Sequence, residues 1–232
     1  MRAAVLVFPG TWSDGDCIYA LSRVGIESRS IWHRESPEFA SDELVVLPGG
    51  FSYGDYLRCG AIARFSPVME AVVRHAEAGG LVIGICNGFQ ILCEAGLLPG
   101  VLMRNESLQF RCQPTGLVAV DRTSPFTRGI EAGRVLQVPI SHGEGNYFAD
   151  DATLDMLEAS GRIAFRYCDD AGNVTAEANP NGSLRNIAGI LSEGRNVLGM
   201  MPHPERACDP LLGGIDGNAI WQSVLSTVAL PA

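Results

Sequence analysis

The segment Leu81-Val82-Ile83-Gly84-Ile85-Cys86-Asn87-Gly88-Phe89-Gln90-Ile91-Leu92-Cys93-Glu94-Ala95-Gly96 decides the fold. Leu81 to Ile85 is a continuous apolar run, as expected of a parallel strand buried on both faces. Asn87 to Ala95 reads as a helix closed by Gly96. Between them lies Gly84-x-Cys86-x-Gly88, a nucleophile-elbow pattern with cysteine in the serine position. Such a turn strains the backbone of its central residue, and the flanking glycines remove the Cβ clashes it would create. A cysteine at a helix start also feels the helix's positive end, which favours the thiolate, the reactive form. On this pattern alone Cys86 is equally readable as a small buried residue that follows a strand.

Working outward, the same alternation recurs. Ala3 to Phe8 reads as a strand ended by Pro9-Gly10, and Ser13 or Asp14 caps a helix carrying Cys17, Leu21 and Val24 at helical spacing. Glu27 to Trp32 and Leu44 to Leu47 read as strands, the second halted by Pro48-Gly49-Gly50. Ser66-Pro67 opens a helix whose Val68, Met69, Val72, Val73 and Ala76 make one apolar face, ended by Gly79-Gly80. Strands alternating with helices imply right-handed βαβ units with a site at the carboxyl ends of the strands. From about 101 to 201 the texture changes to short β-like runs (Leu117 to Val120, Val135 to Ile140, Ile163 to Tyr167, Val197 to Met201) with little helical periodicity. Asp216 or Asn218 to Leu230 reads as a closing helix. The expected class is α/β: a mostly parallel central sheet, flanking helices and an antiparallel β extension, with residues 1–232 as a single domain, since no linker-like tract divides them.

Composition excludes several chemistries. The 232 residues carry a formal charge of −9 and no lysine, all 17 basic residues being arginine. Schiff-base catalysis and Walker-type ATP binding, which need a lysine, are ruled out. The acidic balance argues against a nucleic-acid partner. The seven cysteines form no C-x-x-C pair, so neither a zinc ribbon nor a redox dithiol is expected and no metal site is assigned. The short apolar N-terminus is no signal peptide, and no stretch is long enough to span a bilayer. A soluble protein of a reducing compartment, the cytoplasm, is expected.

A thiolate nucleophile needs a base, and the base an orienting group. Of the four histidines, His33 and His75 read most simply as surface residues and His142 as a loop residue. His203 stands in Met201-Pro202-His203-Pro204-Glu205, just after an apolar run. The prolines stiffen this segment, and in extended chain i and i+2 project to one side, so Glu205 can hold the imidazole. Taken alone, Pro-His-Pro-Glu also reads as a stiff loop. Acyl transfer further needs donors for a developing oxyanion. The backbone N–H groups of Asn87 and Gly50 are candidates, although Gly50 is equally explained as turn chemistry.

Read together, Leu47-Pro48-Gly49-Gly50-Phe51, Gly84-Ile85-Cys86-Asn87-Gly88-Phe89-Gln90 and Pro202-His203-Pro204-Glu205 resemble, in order and spacing, the triad-type (class I) glutamine amidotransferases. Phe51 to Ala61, Arg104-Asn105-Glu106-Ser107 with Phe110, Ser141-His142-Gly143-Glu144-Gly145, Asn179 to Ser183 and Asn186 to Ile190 resemble the glutaminase subunits of phosphoribosylformylglycinamidine synthase within that superfamily. The resemblance implies a flavodoxin-like sheet, Cys86 as nucleophile on the glutamine amide, His203 as base and acid, and Glu205 as orienter. It implies that Gln90 contacts glutamine and that Ser141, His142 and Gly143, with Glu144, hold its α-amino and carboxylate groups. It further implies no cofactor on this chain, with ATP and Mg used by a large synthase subunit and a small bridging subunit as its partners. Phe51 to Ala61 is expected to couple partner binding to activity, or else to be ordinary packing. The Ala207 to Gly217 stretch has no assigned role. Two readings compete: a triad serving another acceptor or a γ-glutamyl hydrolase, and an idle scaffold that only docks on a synthase.

Overall fold

The computed structural model describes residues 1–228. Its strands are β1 (Arg2–Val7), β2 (Glu27–Trp32), β3 (Glu43–Leu47), β4 (Val82–Ile85), β5 (Val101–Met103), β6 (Arg111–Ala119), β7 (Val135–His142), β8 (Asn146–Phe148), β9 (Ile163–Cys168), β10 (Ile187–Leu191) and β11 (Val197–Met200). Its α-helices are α1 (Asp14–Arg23), α2 (Pro67–Glu77), α3 (Asn87–Glu94), α4 (Asp151–Ala159) and α5 (Asn218–Val228). The expected closing helix is thus present, and the end assigned to it at Leu230 lies outside the described residues.

Nine strands form one sheet in the order β2-β1-β3-β4-β11-β10-β9-β6-β7. β2, β1, β3, β4 and β11 run parallel, and from β11 onward every pairing is antiparallel. This is the expected parallel sheet with its antiparallel extension, except that β11, read from the sequence as part of the extension, joins the parallel strands beside β4. β3, β4 and β11 are buried at every position, as central strands covered on both faces must be. β5 and β8 pair apart, as a small second sheet.

The structure corrects three expectations. α4 interrupts the region read as β-like; it is short, and the Asp150 side chain caps it by accepting from Thr153 N–H. Ser141 and His142 belong to the end of β7 and not to a loop. His33 and His75 are not surface residues, being only 6% and 7% exposed. Each ring finds a partner far off in sequence: the His75 Nε2 lies 3.0 Å from the Glu43 carbonyl, and the His33 Nδ1 lies 2.8 Å from the hydroxyl of the half-buried Tyr53.

Candidate active site

Three adjacent parallel strands end at one place. β3 delivers Gly49-Gly50, β4 delivers Cys86, and β11 delivers His203. Cys86 takes φ 51° and ψ −106°, a strained backbone for a residue with a Cβ, at the N-cap of α3. It is held there from both sides: its N–H donates to the Met200 carbonyl at 2.7 Å, and its carbonyl accepts from Gln90 N–H at 3.2 Å. Gly88 is obligatory here because a Cβ would drive into the Leu47 carbonyl, so α3 can lie on the end of β3 only with glycine at the contact.

His203 and Glu205 are buried, 1% and 0% exposed, with Nδ1 to Oε1 at 2.6 Å. Burial works against the imidazole's charge, but the Glu205 carboxylate and then Cys86 outweigh it and raise the pKa to about 10. His203 Nε2 has no protein partner and is buried. A Cβ built on Gly49 would stand 2.7 Å from His203 Cε1 and 3.5 Å from Cys86 Cβ, so ring and nucleophile flank the same point. The bonds that bracket the Thr11–Gly50 bridge run from Trp12 N–H to Gly49 O (3.1 Å) and from Phe51 N–H to Gly10 O (2.9 Å). Gly50 is therefore a non-hydrogen-bonded pair position whose own N–H turns away from that partner strand. Asn87, first residue of α3, has an N–H with no intrahelical acceptor. The two expected oxyanion donors are thus unspent.

Beside the sulfur lies a cavity of about 150 Å³ whose walls include Gly50, Cys86, Gln90, Ser141, His142 and Gly143. All the residues expected to bind substrate meet there. The Cys86 Sγ is 3.7 Å from the Ser141 carbonyl. Gln90 accepts from Asn87 Nδ2 at 2.9 Å and donates to the Glu144 carbonyl at 2.7 Å, tying α3 to the end of β7. His142 is caged. Its Nδ1 lies 3.1 Å from Asn105 Oδ1, which also accepts from Gly145 N–H, and Asn105 Nδ2 donates to the His142 carbonyl at 2.9 Å. Asn181 Nδ2 lies 3.5 Å from Nε2 and donates to the Gly145 carbonyl at 2.8 Å. Burial, aided by the charge on His203, lowers the His142 pKa to about 3.

Several wall residues escaped the sequence reading as ligand contacts. Asp55 and Cys59 line the same cavity with Glu144, the Cys59 thiol donating to Glu144 Oε2 at 3.0 Å. Burial raises the Asp55 carboxyl. Arg206 donates to Ser13 Oγ at 2.8 Å and lies 3.6 Å from Asp16 and 3.8 Å from Glu205. The short motif around Arg104 and Asn105 and that around Asn179 to Ser183 were visible, but not that both brace His142, because the contact joins positions dozens of residues apart. Among the described residues, no group of three or more His, Cys, Asp or Glu side chains is arranged to hold a metal, and no helix is long and apolar enough to cross a membrane.

Comparison with known proteins places this geometry in context. A family model described as CobB/CobQ-like glutamine amidotransferase domain matches residues 1–221. The chain is 56% identical over 230 residues to the phosphoribosylformylglycinamidine synthase subunit PurQ of Koribacter versatilis, covering 99% of each. It is 57% identical over 226 residues to the protein of that name from Moorella thermoacetica, covering 97% of this chain and 95% of the relative. A chain in the structure of PurLQS from Thermotoga maritima superimposes with a TM-score of 0.86 at 41% identity, covering 98% of both.

Proposed function

The chain belongs to the CobB/CobQ-like glutamine amidotransferase family, and from that premise we propose that it is the glutaminase subunit of phosphoribosylformylglycinamidine synthase. It hydrolyses L-glutamine to glutamate and supplies ammonia to an ATP-dependent synthase that makes formylglycinamidine ribonucleotide in purine biosynthesis. Its partners are the large synthase subunit and a small third subunit. ATP and Mg are used on the large subunit, none being required by this chain's own chemistry, and the complex works in the cytoplasm.

The observation that carries the reading is the convergence of three neighbouring strand ends on Cys86, with Gly50 and His203 beside it and Glu205 bonded to the ring. The Cys86 sulfur attacks the glutamine side-chain carbonyl. The Gly50 and Asn87 N–H groups take the developing oxyanion, which backbone dipoles fixed in advance stabilise without reorganisation. His203 gives its proton to the leaving nitrogen, the C–N bond breaks, and a γ-glutamyl thioester remains. Water, deprotonated by His203, then splits the thioester and returns the thiol. Glu205 holds the ring by Nδ1 throughout, leaving Nε2 to face the reaction. Gln90, Ser141, His142 and Gly143 position the amino acid.

The test is glutamate release by the complex assembled with its synthase partners. Cys86→Ala is expected to abolish it while ammonia-driven synthesis continues on the large subunit. Equal glutamate release by wild type and Cys86→Ala would sink the mechanism.

A further inference from the structure

The Ala207 to Gly217 stretch, which the glutaminase chemistry does not use, borders a cavity of about 540 Å³. Asp16 of α1, Ile140 of β7, Glu205, Arg206, Leu211 and Leu212 are in its lining, and Cys86, His203 and the glutamine-binding residues are not. The stretch is firmly built. Asp209 accepts from Leu211 N–H at 2.9 Å and from the Tyr19 hydroxyl at 2.7 Å. Its base is closed by Gly217 N–H on the Ala207 carbonyl at 2.8 Å and Asn218 Nδ2 on the Cys208 carbonyl at 3.0 Å. Yet Leu211 is 94% exposed and Leu212 54%. A held loop that bares two leucines beside a cavity offers the apolar half of a binding site.

The polar half is the free oxygen of the triad carboxylate. Glu205 is fully buried, and while its Oε1 holds the His203 ring, its Oε2 has no hydrogen-bond partner. Glu205 lines this cavity and neither of the two that reach Cys86, so the unspent oxygen faces here. A buried carboxylate oxygen ordinarily has a donor. Arg206 is not that donor: it hydrogen-bonds Ser13 Oγ, and its Nε stands 3.8 Å from Glu205 Oε1 and 3.6 Å from Asp16. The lining holds three carboxylates, Asp16, Glu205 and Asp209, against this one arginine. Burial and then the Glu205 charge raise the Asp16 carboxyl in spite of Arg206, the mark of surplus negative charge. No such set is arranged to hold a metal among the described residues. An N–H-bearing organic cation on an apolar body suits both halves.

Building on the glutaminase reading, we infer that this cavity is a regulatory site for a small amphipathic cation, whose head group bonds Glu205 Oε2 and so slows the triad. Burial opposes the charge on His203 and Glu205 upholds it. A cation on the far oxygen draws on the same carboxylate, so the imidazolium is held less tightly and His203 becomes a weaker base. The other charged or titratable groups around Glu205 are Asp16 and Cys17 of α1 and, on its own segment, Arg206 and Cys208. Burial raises both thiols and keeps them protonated, which leaves Asp16 and Arg206 as the charges the ligand meets beside Glu205.

Hexylammonium is the probe, with hexanol and hexanoate as its neutral and anionic counterparts, titrated by calorimetry into the free chain and into the complex assembled with the synthase subunits. Hexylammonium is expected to bind both, at least about tenfold more tightly than either counterpart. NMR is expected to show the His203 titration moving down when it binds. In the complex, glutamate release is expected to lose kcat several-fold while KM for glutamine stays within about twofold. Leu212→Arg sets a positive charge beside the cavity, and Asp16→Asn removes a negative one. Each is expected to weaken hexylammonium at least about threefold, and Leu212→Arg to leave glutamate release without the probe unchanged. Equal binding of hexanol would overturn the inference, as would undiminished hexylammonium binding in both variants. So would binding lost on assembly of the complex, binding that leaves kcat and the His203 titration untouched, or inhibition that raises KM, which would put the probe in the glutamine cavity. Binding and the His203 titration are read without turnover, so failure of this site and failure of the glutaminase reading, tested by Cys86→Ala, are distinguishable.

Discussion

His142 and His203, each lining a cavity that reaches Cys86, stand under opposite electrostatic orders. His203 is raised to about 10 and His142 lowered to about 3, against an ordinary value of 6.5. A raised folded pKa stabilises the fold fully below the unfolded value, and that stability drains away as pH climbs from about 6.5 to about 10. A lowered histidine acts at the other end: between about 6.5 and about 3 the unfolded chain binds the proton that the fold refuses, so stability falls as pH falls. Urea midpoints measured across pH are thus expected to fall on both flanks. His203→Gln should flatten the alkaline flank and His142→Gln the acid one. Glu205→Gln removes the charge that outweighs burial at His203. The expected outcome is a loss of kcat of about a hundredfold or more, with the His203 titration, followed by NMR, moving down. At this scale the triad was readable because Pro-His-Pro-Glu and the elbow are local patterns. The buried rings of His33 and His75 were not, because what makes them inside residues is a partner such as Tyr53 or Glu43, twenty to thirty-two positions away.

The elements explain how a strained nucleophile persists. After β3 the chain runs through Tyr53, Gly54, Asp55 and Leu57 at positive φ, a costly path for residues bearing side chains. It is pinned by the Tyr53 hydroxyl to His33 and, at 3.0 Å, to Ser66 Oγ at the head of α2, and by Ser52 N–H to Asn87 Oδ1 at 3.1 Å. This pin sits three residues from Gly50. Tyr53→Phe keeps the ring and removes the pin. It is expected to lower kcat several-fold with little change in melting temperature, as an enzyme assay beside a thermal melt would register. Gly88→Ala should behave differently, forcing α3 off β3 and lowering the melting temperature with activity, because no small movement relieves a Cβ set against backbone. Most strands were legible from apolar runs ended by Gly or Pro. α4 was not: it shows few apolar repeats, and its start is signalled by one capping aspartate in a region of turns. The pairing of β5 with β8 was equally hidden, since three-residue strands have no period to read.

For the whole molecule, the α/β class and the change from parallel to antiparallel pairing followed from where helical periodicity stops. What no local pattern could disclose is that the segment leaving the central strand β11 meets the last strand of the sheet. β7 is four places from β11 in the sheet, yet the His203 N–H donates to the β7 carbonyl of Pro139 at 2.8 Å. One sheet running through nine of the eleven described strands leads us to expect one cooperative unfolding transition, with circular dichroism and tryptophan fluorescence coinciding in urea. That junction adds a further condition. The base follows the middle strand and the pocket wall ends the last one, so the reaction centre exists only while the two stay joined. Turnover is accordingly a gauge of the junction, expected to fade at denaturant concentrations where both spectra still report an intact protein.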